Sequence, residues 1–313
     1  MSWFHMEPNV ARTFVAIYVL ALLATIGAIL FHSRSRTDAS RELLARTLTW
    51  WGIIVFITFA LSAPRYAGVI SFAFLSFLAL KEYLSLIPTR QDDRIVIAWM
   101  YLAVLLQYFF IGIEWYGIFI IFIPVYMFLL IPLQMVGLGK TDGFLRAVGS
   151  LHWGLMITVF SISHMAYLLV LPGDAPTVAG GAGLVLYLLL TTELNDMAAF
   201  VWGKLLGRKK IIPKISPGKT WGGLLGGFAT TLAAAVLLAP YLTPLDLQAS
   251  ILAGCMIGIC GFFGDAAISA LKRDLGIKDS GTMLPGHGGI LDRVDSLTFT
   301  APIFLHFIRF NYF

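Results

Sequence analysis

The chain has 313 residues, of which 58% are hydrophobic and 12% are charged, and its formal net charge is +5. A soluble domain usually carries about 25% charged residues, so this composition excludes an ordinary water-soluble protein. Long apolar runs separated by short loops recur along the sequence, which predicts an all-α, polytopic transmembrane protein. The basic residues lie in loops rather than on one soluble face, so the charge does not indicate nucleic-acid binding.

Ten membrane spans are predicted from apolar runs bounded by charge, proline or glycine. The first lacks a basic n-region and exceeds the usual signal-peptide core of about 7–15 residues, so it is interpreted as a retained span. The second is the weakest, because it is short and ends at Pro64. The predicted spans lie at approximately residues 12–31, 48–63, 67–87, 95–113, 115–136, 149–171, 179–203, 221–240, 249–271 and 297–311.

Basic residues are divided very unequally between alternate loops. Nineteen of the 22 Lys and Arg residues fall on one side of the predicted membrane, and Arg12, Arg65 and Arg309 fall on the other. Lys and Arg concentrate in cytoplasmic loops. The sequence therefore predicts a multi-pass protein of the cell inner membrane, with both termini outside the cytoplasm and the long charged loops facing it.

The residues that could carry chemistry are concentrated in the second half of the sequence. Residues 1–175 are expected to form N-terminal transmembrane helices with unremarkable loops, and residues 176–313 a C-terminal transmembrane catalytic region. Cys255 and Cys260 fall in one predicted span and indicate neither a disulfide nor a zinc site. Internal repeats are not evident, which disfavours a transporter built from two inverted halves.

Polar residues interrupt the seventh predicted span at TTELNDMAAFVWG. Glu193 and Asp196 are three residues apart and share a helix face, with Asn195 beside them. Carboxylates at membrane depth are costly unless they serve a cavity, an ion or a partner. A functional role is predicted for Asp196, and the alternative is a polar contact between helices.

A basic loop follows, with the sequence GKLLGRKKIIPKISPGKTWGG. Its lysines, hydroxyl side chains and glycines suit phosphate binding, because glycine lets backbone N–H groups approach an anion. The GxxxxGK[ST] spacing of a Walker A loop is absent. The alternative is an ordinary cytoplasmic loop that binds anionic lipid headgroups.

The last charged stretch runs from Gly264 to Ser296. Carboxylates there can hold a divalent cation while neighbouring Lys and Arg side chains hold phosphates, as a magnesium-nucleotide site requires. The glycines and proline of PGHGG indicate a tight, specific backbone. The charged residues of this stretch include Asp265, Lys272, Arg273, Lys278, Asp279, Asp292 and Asp295.

Residues 269–295, SALKRDLGIKDSGTMLPGHGGILDRVD, are similar throughout to the signature of the phosphatidate cytidylyltransferase (CDP-diacylglycerol synthase) family. The upstream segments NDMAAFVWGKLLGR and KISPGKT also resemble blocks of this family, so the resemblance covers about residues 190 to 300. The family forms CDP-diacylglycerol and pyrophosphate from CTP and phosphatidic acid in phospholipid biosynthesis.

The resemblance implies a polar intramembrane cavity open to the cytoplasm, a Mg2+ ion with K+ nearby, and a homodimer. It implies Asp265 and Asp292 as metal ligands. His287 is expected to contact phosphate or to fix the turn. The implied catalytic residues are Lys272, Arg273, Asp279, His287, Arg293 and Asp295, and the implied substrate-binding residues are Asn195, Asp196, Lys214, Ser216, Lys219, Thr220 and Lys278.

Two positions depart from the family pattern. Gly222 and Ile268 stand where the family usually has acidic residues. These departures leave open a cytidylyltransferase for a different lipid phosphate, or a weakly active or inactive regulatory relative. An ion-coupled transporter would also place carboxylates within spans, but it would not need the long PGHGG loop.

Overall fold

The protein is a bundle of helices. The computed structural model describes residues 6–90, 93–137, 139, 141–173, 178–286 and 288–313. Within these ranges nine helices are long and apolar enough to cross a membrane, and the β-structure consists of two isolated bridges, Lys210 with Thr220 and Leu284 with Gly288. The predicted all-α, polytopic fold is confirmed.

The nine long helices are numbered in chain order. They are α1 (Pro8–Ser35), α2 (Asp38–Ser62), α3 (Arg65–Leu86), α4 (Arg94–Gly112), α5 (Tyr116–Gly137), α6 (Phe144–Val170), α7 (Gly180–Leu206), α8 (Trp221–Leu242) and α9 (Leu247–Asp274). Two shorter helices follow, α10 (Leu291–Val294) and α11 (Leu297–Tyr312).

Side-chain caps define where several helices begin. The Thr37 hydroxyl accepts a hydrogen bond from the Ser40 amide at the start of α2, and Thr220 accepts one from Gly223 at the start of α8. Asp246 accepts one from Ala249 at the start of α9. Such caps satisfy backbone N–H groups that have no partner within the helix.

The predicted spans differ from the helices at two places. The second span, predicted at 48–63, is a 25-residue helix that begins at Asp38, because the Thr37 cap starts it almost three turns earlier. Arg41 and Arg46 therefore lie on α2 and not in a loop. The tenth, predicted at 297–311, is the 16-residue helix α11, which is shorter than the roughly 20 residues that usually cross a bilayer.

The short helix α11 is nonetheless central. It packs against α6, α7 and α9, and Phe304, Leu305 and Ile308 are almost completely buried. Asp292 and Asp295 immediately precede α11 along the chain. The core of the bundle therefore sets the position of this charged segment.

Helices α7 and α8 form the closest pair of the bundle. A Cβ atom on Gly223 would lie 2.6 Å from the Ala199 carbonyl oxygen, so only glycine allows this approach. Small residues commonly permit such contacts between membrane helices. The close contact places the end of α7 directly beside the start of α8.

Helices α1 and α2 lie at the edge of the bundle. They pack mainly against each other, and α2 packs more extensively on α3 than on α7. Most apolar side chains of α1 are exposed and most of those of α2 are partly exposed, as expected where a helix faces lipid. The limited contact between α2 and α7 leaves space between these two helices.

We expect Gly181→Ala to destabilise the protein by about 1–3 kcal/mol, the usual cost of overpacking. A Cβ atom there would lie 2.1 Å from the Leu169 carbonyl oxygen. Thermal unfolding of the detergent-solubilised protein measures the effect. Gly52→Ala in α2 is the control, because its Cβ would meet nothing within 4 Å, and equal unfolding temperatures for the two variants would contradict the packing described here.

Candidate active site

Two polar cavities lie at the end of the bundle where α7 ends and α8 begins, and an adjoining apolar cavity extends from them between α2 and α7. The first, of about 210 Å³, is lined by α7, the basic loop and α9. It shares Asp196 and Phe200 with the second cavity. The structure brings six predicted site residues to the first cavity, namely Asn195, Asp196, Ser216, Lys219, Thr220 and Asp265.

The basic loop is closed at its base by backbone pairing. The Ile211 amide donates to the Lys219 carbonyl at 3.1 Å, and the Trp221 amide donates to the Lys209 carbonyl at 3.0 Å. Thr220 then caps α8. This folding turns Lys219 toward α9, so a loop with five basic residues presents one lysine to the cavity.

Lys219 and Asp265 form an ion pair inside the first cavity. The Lys219 Nζ lies 2.6 Å from Asp265 Oδ2, and their side chains are 16% and 30% exposed. The Ser269 hydroxyl donates to Asp265 Oδ1 at 3.0 Å. Both oxygens of this carboxylate therefore have partners from the chain itself.

Lys272 and Asp292 form a second, more deeply buried ion pair. The Lys272 Nζ lies 2.6 Å from Asp292 Oδ1, with side chains 12% and 7% exposed. Asp292 Oδ2 accepts hydrogen bonds from the Gly289 amide and from the amide and hydroxyl of Ser280. Burial alone would raise the pKa of Asp292, but these donors outweigh it, and its pKa is lowered.

The PGHGG segment adopts the tight backbone that its composition indicates. Gly286 and Gly288 have φ angles of +75° and +82°, which glycine adopts readily. A Cβ atom on Gly288 would lie 2.5 Å from Asp292 Oδ2. The Leu284 amide donates to the Gly288 carbonyl and closes the turn. His287 lies outside the described residues, so its predicted role stays a prediction.

The second cavity, of about 690 Å³, is polar at its rim. It lies between α2, α7 and the loop that precedes α10. Lys278 and Asp279 are exposed there, and the Arg293 Nε has no hydrogen-bond partner although it is shielded from solvent. Residues that line it include Glu42, Arg46, Glu193, Asp196, Lys278, Asp279, Thr282 and Arg293.

The third cavity, of about 410 Å³, is predominantly apolar and occupies the space between α2 and α7. Its walls include Ile53, Ile54 and Ile57 from α2 and Leu186, Leu189, Leu190 and Leu194 from α7. The second and third cavities share Trp50, Glu193, Met197, Leu284 and Arg293. A charged compartment and an apolar compartment therefore meet at Arg293.

The remaining predicted residues have other surroundings. Arg273 is exposed and donates to the Ile215 and Ile277 carbonyl oxygens, which ties the two charged loops together. Lys214 is exposed on the basic loop. Asn195 accepts a hydrogen bond from Thr231 at 3.0 Å, so it also joins α7 to α8.

Sequence reasoning missed the contribution of the N-terminal helices. Glu82 of α3 is 7% exposed and accepts hydrogen bonds from Ser280, Ile290 and Leu291. From α2, Arg46 and Thr49 donate to the carbonyl oxygens of Gly286 and Pro285. Glu82 lies in the sequence Lys81–Glu82–Tyr83 at the end of an apolar run, which resembles any segment at a membrane interface. Nothing in the sequence therefore indicated its contact with the signature region.

The arrangement of carboxylates fits a cation only in part. Among the described residues no three His, Cys, Asp or Glu side chains are grouped as metal ligands. Burial and the negative charges of Asp265 and Asp196 nevertheless raise the pKa of Asp295 well above its usual value. The carboxyl groups of Asp196, Asp265 and Asp295 thus lie close enough to repel one another, whereas the oxygens of Asp292 are already occupied by the contacts described above.

Comparisons with known proteins agree with the signature. The family model described as "Cytidylyltransferase family" matches residues 44–311. The protein YnbB of Escherichia coli strain K12, which is named as uncharacterised, is 45% identical over 96% of this chain and 98% of its own length. A phosphatidate cytidylyltransferase of Staphylococcus haemolyticus is 39% identical over 41% of this chain and 49% of its own.

A third relative, the phosphatidate cytidylyltransferase of Haemophilus influenzae, is 36% identical over 42% of this chain and 47% of its own length. The chain thus aligns with about half of each of these two bacterial phosphatidate cytidylyltransferases. The long apolar helices and these comparisons define a multi-pass membrane enzyme of the nucleotidyltransferase class. The chain belongs to the cytidylyltransferase family.

We expect Lys272→Met to loosen the loop that precedes α10, because it leaves the buried Asp292 without its cation. Removing one partner of a fully buried pair costs about 3–5 kcal/mol, and the residual exposure of Lys272 lowers our expectation to about 1–3 kcal/mol. Trypsin cleavage after the exposed Lys278 measures the loosening. Lys209→Met, at an exposed site, should leave cleavage unchanged, and equal cleavage of both variants would contradict a role for the pair.

Proposed function

We propose that this protein transfers the cytidylyl group of CTP to phosphatidic acid, forming CDP-diacylglycerol and pyrophosphate. The observation that carries the proposal is the junction of the polar and apolar cavities at Arg293 and Glu193. One substrate is a water-soluble polyanion and the other is a lipid with an anionic head. A site that joins a charged compartment to an apolar one suits this pair of substrates.

The reaction joins two phosphate groups. An oxygen of the lipid phosphate attacks the α-phosphorus of CTP, the bond from that phosphorus to the oxygen shared with the β-phosphate breaks, and pyrophosphate leaves. The attacking phosphate monoester is already anionic, so the step needs little proton transfer. The protein's main task is to hold two polyanions together, which requires positive charge at the site.

The basic residues of the two polar cavities meet this requirement. Ser216, Lys219 and Thr220 would bind phosphate groups in the first cavity, and Lys278 would bind them in the second. Arg293 would hold the lipid phosphate at the junction, because its guanidinium is adjacent to both compartments.

Asp265 is the side chain that would hold Mg2+, with Asp196 and Asp295 nearby and K+ as a further candidate ion. A cation would relieve the repulsion that is evident at Asp295. When bound, it would offset the charge of the leaving pyrophosphate. Asp292, the other predicted metal ligand, would first have to give up hydrogen bonds to Lys272, Ser280 or Gly289.

We place the two polar cavities on the cytoplasmic side of the cell inner membrane, with the apolar cavity extending from them between the helices. Support comes from the unequal distribution of Lys and Arg between alternate loops, and from the need of the site to receive CTP from water. The homodimer that the resemblance implies stays a prediction.

A cytidylyltransferase for a different lipid phosphate is the second candidate. At Gly222 a Cβ atom would lie 2.7 Å from the Leu206 carbonyl oxygen, and Ile268 is 1% exposed. A side chain at Gly222 would collide with this backbone, and an unpaired carboxylate at the buried position 268 would be costly. The surroundings of both positions therefore disfavour the family's usual acidic residues, which favours altered substrate recognition.

We expect the purified wild-type protein to release pyrophosphate from CTP and form CDP-diacylglycerol when Mg2+ and phosphatidic acid are supplied in detergent. Asp265→Asn should lower the rate at least a hundredfold, because the charge that balances Lys219 and a cation is lost. Coupled detection of pyrophosphate, with mass spectrometry of the lipid, measures both products. Turnover with another lipid phosphate but not with phosphatidic acid would favour the second candidate.

We expect Leu190→Trp to fill part of the apolar cavity and to raise KM for dioleoyl-phosphatidic acid by about tenfold, with a much smaller effect on the dihexanoyl lipid. The comparison of KM for the two lipids measures the fit of the acyl chains. Leu237→Trp on α8 is the control, since Leu237 is 69% exposed. Equal KM changes for the long and short lipids would argue against this cavity as the acyl site.

A further inference from the structure

Glu82 is a buried carboxylate in the N-terminal half of the chain whose partners all come from the signature region. Its Oε1 accepts hydrogen bonds from the Ser280 hydroxyl at 2.6 Å and from the Leu291 amide at 3.0 Å. Its Oε2 accepts one from the Ile290 amide at 2.8 Å. A buried carboxylate requires such donors, so α3 and the signature segment are matched to each other.

Glu82 and Asp292 both accept hydrogen bonds from backbone amides of the short segment 289–291. Ile290 and Leu291 lie at the start of α10, where backbone N–H groups lack partners within the helix, and Asp292 is the next residue. The Ser280 hydroxyl lies 2.6 Å from Glu82 and 2.9 Å from Asp292. The Ser280 hydroxyl has one proton, so it donates to one of these oxygens at a time and lies between the carboxylate from α3 and the carboxylate that holds Lys272.

The loop is shaped around the Glu82 side chain. A Cβ atom on Gly289 would lie 2.2 Å from Glu82 Oε1, and one on Gly281 would lie 3.0 Å from Oε2. A side chain at position 289 would displace Glu82, and one at position 281 would crowd it. Gly281, which precedes the PGHGG turn, and Gly289, which ends it, thus make room for a residue some 200 positions earlier in the sequence.

Helix α2 supports the same loop on its other side. Arg46 Nε donates to the Gly286 carbonyl at 3.0 Å, and the Thr49 hydroxyl donates to the Pro285 carbonyl at 2.7 Å. Lys278 and Arg293, which flank the held segment, line the polar cavity. The N-terminal helices therefore control where these two cations lie.

We propose that Glu82 is a positioning residue for nucleotidyl transfer, acting through Ser280 and the start of α10 to hold Lys278 and Arg293 toward the substrates. This inference rests on the proposed function. Glutamine at this position keeps one acceptor oxygen and replaces the other with a donor, so it preserves the volume of the side chain but disrupts the hydrogen bonds to the loop.

The test is steady-state kinetics of the full-length protein in detergent, with CTP and phosphatidic acid. We expect Glu82→Gln to lower kcat by about tenfold and Glu82→Asp to recover part of this loss, while the unfolding temperature changes little. Glu114→Gln is the control, because Glu114 pairs with Arg65 away from the three cavities. Unchanged kcat in Glu82→Gln and Glu82→Ala would overturn the proposal.

A double-mutant cycle separates positioning from a general loss of stability. Glu82 and Ser280 share a hydrogen bond, so Ser280→Ala combined with Glu82→Gln should lower kcat by less than the product of the two single effects. A shared role in positioning would be contradicted if the double variant lost kcat by the full product of the two single effects and if each loss of kcat paralleled a loss of stability.

Hydrogen exchange keeps this inference distinct from the proposed function. Even if the wild-type protein transfers no cytidylyl group to any lipid offered, Glu82→Gln should speed amide exchange at Ile290 and Leu291, and Glu114→Gln should not. No turnover together with faster exchange would reject the proposed reaction and keep Glu82 as the residue that holds the loop. Unchanged exchange would reject the contact itself.

Discussion

The ion pair between Lys272 and Asp292 is the interaction on which the rest of the site depends. Two charges taken out of water are costly, and they are tolerated only where further hydrogen bonds complete their surroundings. Asp292 meets this condition by gathering Ser280 and Gly289 around one oxygen. The same contacts define the turn before α10, so the electrostatic requirement of one carboxylate organises the whole loop.

The sequence predicted the parts of this structure that follow from periodicity and from a contiguous signature. Apolar runs located all the long helices, and the KR, KD and DRxD groups located the charged end. The start of α2 was misjudged because Arg41, Glu42 and Arg46 interrupt hydrophobicity without interrupting the helix. Hydropathy measures the affinity of a segment for lipid, whereas a helix continues for as long as its backbone remains capped and paired.

The partners of Glu82 could not be predicted for a different reason. Contacts between residues distant in the chain depend on the packing of helices, and one sequence does not report it. Asp265 and Asp292 illustrate the same point, because the structure pairs them with different lysines that one sequence does not identify. Their role as metal ligands stays a prediction. The sequence shows which charged residues are close together along the chain, but the tertiary fold decides which of several similar charges become partners.

The sparse contact between α2 and α7 has a consequence for how the rate of such an enzyme would respond to its surroundings. A lipid whose chains occupy the cavity between these helices arrives by lateral diffusion within one leaflet. Its effective concentration is then a mole fraction in the bilayer, and dilution with inert lipid slows the encounter even when the total amount of substrate is constant. Membrane composition, rather than the volume of the cell, would set the supply.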